Sequence, residues 1–452
     1  MGHLAKFVDS IAASPTVRLD LNDETTWTCT RFDPGVPTIR RAMSSNAMTD
    51  GIHVSSSSYD ARTITFDLLL RTSTQDLNAT QIQTLARELD RATNIVMYQP
   101  NGLTKPVFFK TFRSNLSQIQ DILTSTAMRT CTIELLAEPF ALGLMETVSV
   151  GTVNNDPAHA TNGCYFDIAA ASVIGDVATP CLIVDTVAAQ VGTTWGVRQH
   201  GTPSDGVYFY QGESASLVGF TNPGGGPSAA NSGTGANNYV RATPGTMSLS
   251  WSIAGTDAQR IARAGDYRLL AVVTPSVADV WTLAVEQVGA YGYNTPVACV
   301  GTGRQIVDLG VYNLGNSFRP GSAGSFAPAD DTIILVGAYG GSGTLDFDYL
   351  QLVPADEISG TCVITGASRD HAFDSAMDSA YAIETAGTLP SGTSNVGDVG
   401  QASGGFISLV PNQVNRVIWV KHTAENEITK ANTSSLTVYY WPRYVFIRPS
   451  AT

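Results

Sequence analysis

Charge is scarce in this sequence, and clustered positive charge is missing altogether. Asp, Glu, Lys and Arg make up 14% of the residues, with 26 Lys and Arg against 39 Asp and Glu. Sequence-independent nucleic-acid binding displaces counterions from phosphates with clustered cations. No Lys- or Arg-rich run occurs, so no specific nucleic-acid partner is expected. Cysteine is sparse as well, at positions 29, 131, 164, 181, 299 and 362, with no CxxC spacing. Such scattered cysteines read as reduced, mostly buried thiols, because disulfide frameworks belong to small secreted chains. The histidines (His3, His53, His159, His200, His371 and His422) are isolated. No HExxH, GxSxG or P-loop pattern is present, so no catalytic residue, no metal site and no cofactor is expected, and the protein is read as no enzyme. Gly224-Gly225-Gly226 lacks the strand-to-helix context of a dinucleotide site and reads as a loop. No apolar run approaches the roughly 20 residues of a membrane helix. The opening MGHLAKFVDSIAASP has no signal-peptide core, so folding in a cytoplasm without membrane insertion is expected.

What is present favours strands. At 452 residues with 43% hydrophobic content, the chain is too long for one core, and about 100–200 residues per domain gives two to four domains. Abundant Gly, Ser, Thr and Asn with little charge predict many short strands joined by tight turns, a mainly β fold. Charge is uneven. Residues 1–145 hold 13 basic against 14 acidic residues, and the remainder 13 against 25.

The stretch Tyr59–Phe140 organises the reading. In YDARTITFDLLLR, Ile64, Phe66, Leu68 and Leu70 recur at every second position, the period of a strand with one buried face. Asn78, with Gln81 three residues on, resembles a capping box. Ile82, Leu85, Ala86, Leu89 and Ala92 fall on one helical stripe, predicting a helix over 79–93. Ile95–Tyr98, Pro106–Phe112 and Met128–Leu136 read as strands, with Pro100-Asn101-Gly102 as a turn. Upstream, Val17–Leu21, Thr25–Phe32 and Val36–Arg41 are predicted strands, and the serine-rich 42–58 a long loop.

This block resembles the N-terminal module of the distal tail (minor tail) proteins of long-tailed, siphovirus-type bacteriophages, in the form common among phages of actinobacteria. The residues that carry the likeness are TITFDLLLR (63–71), LARELDRATN (85–94), YQPNG (98–102), PVFFKTFRS (106–114) and ELLAEPF (134–140). Two more stretches lie far downstream, SLVPNQVNRVIWV (408–420) and VYYWPRYVFIRP (438–449). The resemblance implies a hexameric ring whose long loop, here 42–58, embraces the neighbouring subunit. It implies as partners the tail tube protein, the tape measure protein and the tail-tip hub proteins of the same virion. The expected location is the phage tail tip, after assembly in the host cytoplasm.

Beyond Phe140, strand-like runs alternate with Gly/Pro/Ser/Asn clusters. Between Cys164 and Pro354 these are Cys164–Ala170, Pro180–Val184, Val207–Tyr210, Tyr239–Arg241, Met247–Ile253, Tyr267–Val273, Trp281–Val288, Ile306–Val311, Thr332–Gly337 and Thr344–Leu352. That texture predicts a β-sandwich, best matched to a jelly roll. TLDFDYLQLVP (344–354) resembles the closing strand of carbohydrate-binding-module jelly rolls. Gly219–Asn238 reads as one exposed loop. Thr361–Thr365, Ala380–Thr385, Phe406–Leu409, Arg416–Lys421 and Leu436–Ile447 form a last β segment, with Ser391–Gly405 a Gly/Ser-rich excursion. The expected division is an α+β ring-forming module at 1–146, a jelly roll at 147–355 and a C-terminal β module at 356–452. Whether 356–452 stands alone or pairs with 141–162 around an inserted jelly roll stays open.

Ligand-like features are few. Tyr291, Tyr293 and Trp195 are the candidate glycan contacts, since flat rings stack on sugar C–H faces, and Tyr208 and Tyr210 lie in the same region. Trp251 and Trp281 sit in apolar strands and read as core. Asp346 and Asp348 could help hold a calcium ion, but one carboxylate pair falls short of the six to eight oxygens that ion takes. Asp370, Asp374 and Asp378 are spaced as on one helix face and read as solvated. The expected function is a structural subunit of a tail tip, a ring joining tail tube to tip proteins with an outer sandwich touching host surface glycans. The alternative is a carbohydrate-binding or glycan-degrading accessory protein acting through the jelly roll.

Overall fold

The computed structural model describes residues 3–44, 53–122, 127–155, 163–186, 192–197, 208–211, 215–218, 220–221, 239–253, 265–287, 295–314, 331–339, 341, 343–355, 358–363, 370–383, 395–396, 401–422 and 433–445. Strands dominate, as the composition predicts. The first sheet is built from β1 (Leu4–Val8), β2 (Val17–Asp20), β3 (Trp27–Asp33), then, past a separate hairpin of β4 (Ile39–Ser44) and β5 (His53–Tyr59), β6 (Arg62–Arg71), α1 (Gln75–Leu89), β7 (Asn94–Gln99), β8 (Val107–Asp121), β9 (Met128–Ala137) and β10 (Ala141–Leu142). Its strand order is β2-β1-β7-β8-β9-β6-β3. Along β6 every second residue is buried, and Ile64, Phe66, Leu68 and Leu70 face a core shared with Phe7, Trp27, Val96, Phe109 and Ile133.

The helix covers that core with Leu85 and Leu89, while Ile82 packs at its margin. It starts earlier than the sequence predicts. Thr74 is the N-cap, its side chain accepting from the Leu77 amide. Asn78 is instead buried one turn in, where Nδ2 donates to the Ala127 carbonyl at 3.3 Å. Ala86 and Ala92 are exposed, so the apolar stripe is narrower than the spacing suggests. The predicted loop at 42–58 is also corrected. Its two flanks form the β4–β5 hairpin, with residues 45–52 outside the described set.

Residues 146–197 supply β11 (Glu146–Asn154), β12 (Tyr165–Ile168), β13 (Thr179–Asp185) and β14 (Gly192–Val197). Next come β15 (Tyr208–Gln211), β16 (Ser216–Val218), β17 (Phe220–Thr221), β18 (Val240–Ala242), β19 (Gly245–Ile253), β20 (Gly265–Pro275), β21 (Thr282–Gln287), β22 (Val297–Ala298), β23 (Gln305–Leu314), β24 (Asp331–Tyr339) and β25 (Leu345–Pro354). The chain closes with β26 (Ser359–Val363), β27 (His371–Asp374), β28 (Ser379–Ile383), β29 (Asn395–Val396), β30 (Gln401–Gly404), β31 (Ser408–Leu409), β32 (Asn415–His422), β33 (Thr433–Tyr440) and β34 (Arg443–Tyr444).

These strands make two sandwiches. In one, sheet β17-β18-β25-β20-β23 faces sheet β16-β19-β24-β21-β22. Trp251 and Trp281 lie buried between them, as core residues, with Phe347, Leu350 and Leu352. In the other, sheet β11-β33-β13-β27-β28-β29 faces sheet β12-β32-β14-β26-β30 across Phe166, Trp195, Phe373 and Trp419. The pairing left open by the sequence is thus resolved in its hydrogen bonds. β11 pairs along its length with β33, while β13 and β14, read from sequence as part of the middle jelly roll, pair with β33 and β32. The two sandwiches abut where Val272, Tyr349 and Val353 of the first meet Ile418 and Val420 of the second. A Cβ on Gly196 would come within 1.9 Å of the Pro354 carbonyl oxygen, so only glycine allows this approach.

Two further expectations change. Asp370, Asp374 and Asp378 lie on no helix. Asp374 ends β27 and accepts from the Ala376 and Met377 amides at 2.9 and 3.3 Å, turning the chain into β28. The expected strand 436–447 breaks at Trp441-Pro442, where proline brings no amide to a ladder, and β34 joins the first sheet by pairing with β10. Most of Gly219–Asn238 and part of Ser391–Gly405 lie outside the described residues, apart from β17, β29 and β30.

Candidate functional site

A ladder satisfies both edges of an interior strand and one edge of an outer strand, and an open edge presents backbone donors and acceptors to another chain. Among the described residues, β2 pairs only with β1 and β3 only with β6, so each leaves one edge unladdered. A third open edge lies on β8. Its first half pairs with β7, then bulges at Thr111/Arg113 and Leu116/Gln118 carry its second half onto β9 alone. Residues 113–121 there are largely solvent-facing.

Apolar side chains accompany these edges. Val17 on β2, Phe112 and Ile119 on β8, and Val36 and Ile39 at the entry to the β4–β5 hairpin are all exposed. That hairpin joins no other sheet among the described residues. Its base is held by the Arg40–Asp60 ion pair and by the Asp60 amide donating to Thr38 at 2.8 Å. Tyr59 and Phe140 stack edge-on with centroids 5.0 Å apart. A hairpin fixed at its base and unladdered along its sides can reach a neighbour.

The module beneath is braced by buried charge. Glu88, 7% exposed, meets Arg18 of β2 and Arg91, each at 2.9 Å, tying the sheet edge to the helix. Arg62 is 1% exposed; its Nε donates to the Pro139 carbonyl at 2.8 Å and its Nη2 to that of Val445 at 3.1 Å. Its burial pulls its pKa down to about 10. This one side chain ties the last described residues to the first sheet.

The candidate glycan contacts fare differently. Tyr291 and Tyr293 lie outside the described residues, as does the side chain of Tyr208. Trp195 is 1% exposed, with its indole N–H donating to the Gly405 carbonyl at 2.9 Å and its ring between Phe373 and Phe406. Neither ring face is open to a sugar. Gly360 sits opposite it in register, where a Cβ would strike the indole at 2.3 Å. Asp346 accepts two hydrogen bonds from Arg241, at 2.6 and 2.8 Å, and Asp348 pairs with Arg304, so both carboxylates are spent on guanidinium groups. Among the described residues no three His, Cys, Asp or Glu side chains converge as a metal site. The six cysteines are unbridged, and burial pushes Cys181, Cys299 and Cys362 up to about 12.

A cleft of about 870 Å³ runs beside β23, lined by Arg268, Val297, Gln305, Asp308, Thr361 and Ser403 among others. The Arg268–Asp308 pair and the Ser403 hydroxyl, which donates to Asp308 at 3.1 Å, make it polar. No aromatic ring belongs to its described lining. Sequence reasoning passed over this cleft because its walls come from β20, β22, β23, β26 and β30, strands distant in the chain.

No protein-family model and no curated protein sequence matches the chain. Among solved structures, the Dit protein of phage SPP1, described as a paradigm of the hub adsorption apparatus in phages infecting Gram-positive hosts, aligns at 8% identity over 98% of this chain and 99% of its own, with a TM-score of 0.35. A chain of the phage p2 baseplate, in its activated conformation with Sr, aligns at 9% identity over 77% of this chain and 98% of its own, with a TM-score of 0.25. The carbohydrate-binding module TmCBM61, solved with β-1,4-galactotriose, aligns at 14% identity over 35% of this chain and 99% of its own, with a TM-score of 0.19. Solved-structure neighbours of this chain thus include phage adsorption-hub and baseplate proteins and carbohydrate-binding modules.

Proposed function

We propose that this chain is a non-enzymatic structural subunit of a siphovirus-type phage tail tip. Its first 146 residues form a closed ring between the tail tube and the tip proteins, and its sandwiches face outward. The observation that carries the reading is the first sheet with its three open edges, exposed Val17, Phe112 and Ile119, and unladdered hairpin arm. A heterologous contact repeated by rotation covers every such edge in the same way and closes when the rotation divides a circle. The near-balanced charge of residues 1–145 lets several copies meet without strong repulsion, while the acidic remainder faces solvent. The resemblance of the chain's sequence to distal tail proteins supplies the number six. Native mass spectrometry and negative-stain imaging of the purified chain test the reading. A hexamer with the N-terminal module around the axis is expected, and a monomer at high concentration overturns it.

A second role, host glycan contact by the outer sandwiches, rests on the closing strand's resemblance to carbohydrate-binding modules and on Tyr291 and Tyr293. Binding on a glycan array that disappears with both tyrosines changed to Ala would support it. Silence across the array would leave the sandwiches as spacers.

A further inference from the structure

A fully buried ion pair lies inside the second sandwich, away from the open edges of the first sheet. Lys421 of β32 and Asp185 of β13 sit on opposite sheets, and each side chain is 0% exposed. Both belong to the inward-facing set. Val417 and Trp419 precede Lys421 at alternate positions, Cys181 and Ile183 precede Asp185, and all four lie in the sandwich core. Nζ stands 2.8 Å from Oδ2. A carboxyl C–O bond of about 1.25 Å holds that nitrogen within about 4 Å of Cγ, close to the ~3–3.5 Å separation of a near-attack arrangement.

Burial disfavours the charged form of the Lys421 amine. Two charges taken out of water carry a desolvation penalty that their attraction offsets only in part. Burial lowers the Lys421 pKa, with Asp185 opposing that shift. Proton transfer from Nζ to the carboxylate yields a neutral amine beside a neutral carboxylic acid, a nucleophile beside an electrophile, shielded from bulk water. A third group is placed to move protons. His371 of β27 is the cross-strand partner of Asp185 and is 3% exposed. Its Nε2 has no hydrogen-bond partner, and burial pulls its pKa below 6.5, leaving the ring neutral and able to accept a proton.

We propose that Lys421 and Asp185 condense into an intramolecular isopeptide bond that joins the two sheets of this sandwich, with His371 as proton relay. The Nζ lone pair attacks Cγ and the Nζ–Cγ bond forms. His371 takes a proton from the nitrogen and returns it to the departing hydroxyl. The Cγ–O bond breaks and one water leaves. Nothing is oxidised or reduced, and no co-reactant is needed. The product is a neutral amide in place of two buried charges. It would close residues 185–421 into a covalent loop across the core.

Intact-mass measurement of the denatured full-length protein tests this without any variant. The chain is expected to be lighter than its sequence by one water, and a digest should contain a branched peptide joining the segments around Asp185 and Lys421. Lys421→Arg, which keeps the charge, should restore the full sequence mass, with folding checked by its thermal transition. His371→Gln should accumulate unlinked chain more slowly converted than the parent. Full sequence mass in the folded parent protein overturns the bond. Persistence of the water loss in Lys421→Arg assigns it to another site and overturns it equally. Linking of His371→Gln at the parent rate overturns the relay.

Discussion

The first sheet and the second sandwich use the same backbone ladder to opposite ends. In the sandwich, two sheets cover one another and the interior holds Trp195, Trp419 and Phe373 with even charged groups at zero exposure. In the first sheet a single layer curves over one core, a lone helix covers it, and apolar side chains stand in solvent beside open edges. Both regions keep open edge strands, but the sandwich closes its core between two sheets, whereas the first sheet closes its core with one helix. An edge strand flanked by exposed apolar side chains, as β8 is by Phe112 and Ile119, is the one on which pairing by another chain would bury most.

The largest expected effects come from breaking either core. Trp195→Ala should cost about 3–5 kcal/mol by denaturant unfolding and leave any glycan binding untouched, since the ring is enclosed. Leu85→Asp buries a charge with no partner under the helix and should cost several kcal/mol, whereas Leu77→Asp, exposed on the same helix, should stay within about 0.5 kcal/mol. Equal stability of the two helix variants would refute the packing described.

Acid separates the regions next. His422 of β32 shares a 2.7 Å hydrogen bond with Thr194 Oγ1 of the neighbouring β14, and burial pushes its pKa down to about 3. Below pH 6.5 the unfolded chain protonates this ring and the folded one does not, so the unfolded state binds more protons and stability falls as pH is lowered. The slope should approach about 1.4 kcal/mol per pH unit between pH 6.5 and 3. In His422→Gln it should flatten, as read from unfolding midpoints across that range. Arg62→Met should cost about 1–3 kcal/mol by stranding the Pro139 and Val445 carbonyls, and should speed proteolysis of the C-terminal segment. The smallest change in stability belongs to Phe112→Lys and Ile119→Lys, within about 0.5 kcal/mol. These variants should nonetheless abolish the hexamer in native mass spectrometry, and a ring formed by both would move the interface elsewhere.

Legibility in the sequence followed the range of the cause. β6 was readable because alternation along ten residues is itself the record of one buried face. The helix was readable as an element but not in its start, because Asn serves equally as a cap and as a buried tertiary donor, and Asn78 does the second. β4 and β5 left little trace because they form a separate hairpin that joins no other sheet among the described residues. Asp374 and its neighbours at intervals of four mimic a helix face by coincidence with a hairpin turn. The site suffered most. Trp195, in Gly-Thr-Thr-Trp-Gly-Val, looks isolated along the chain, and its enclosure comes from Phe373, Phe406 and Gly405, nearly two hundred residues on. Pairing of β13 with β33 joins Cys181 to Tyr440 and Asp185 to Leu436, farther apart still, and no local pattern encodes it.

The chain leaves the first sheet at β10 and returns to it at β34, and these two strands are hydrogen-bonded to each other. Beyond them β11 and β33 continue the pairing from Glu146 opposite Tyr440 to Asn154 opposite Thr433. The sandwich that contains β11 and β33 is thus joined to the first sheet through two hydrogen-bonded strands. A pull on the outer mass is shared by two hydrogen-bonded backbones, where a single tether would pass it through one. Twisting is resisted too, because two parallel supports cannot swivel about one bond. Whatever force or torque the outer layers meet is delivered to the first sheet as a rigid displacement.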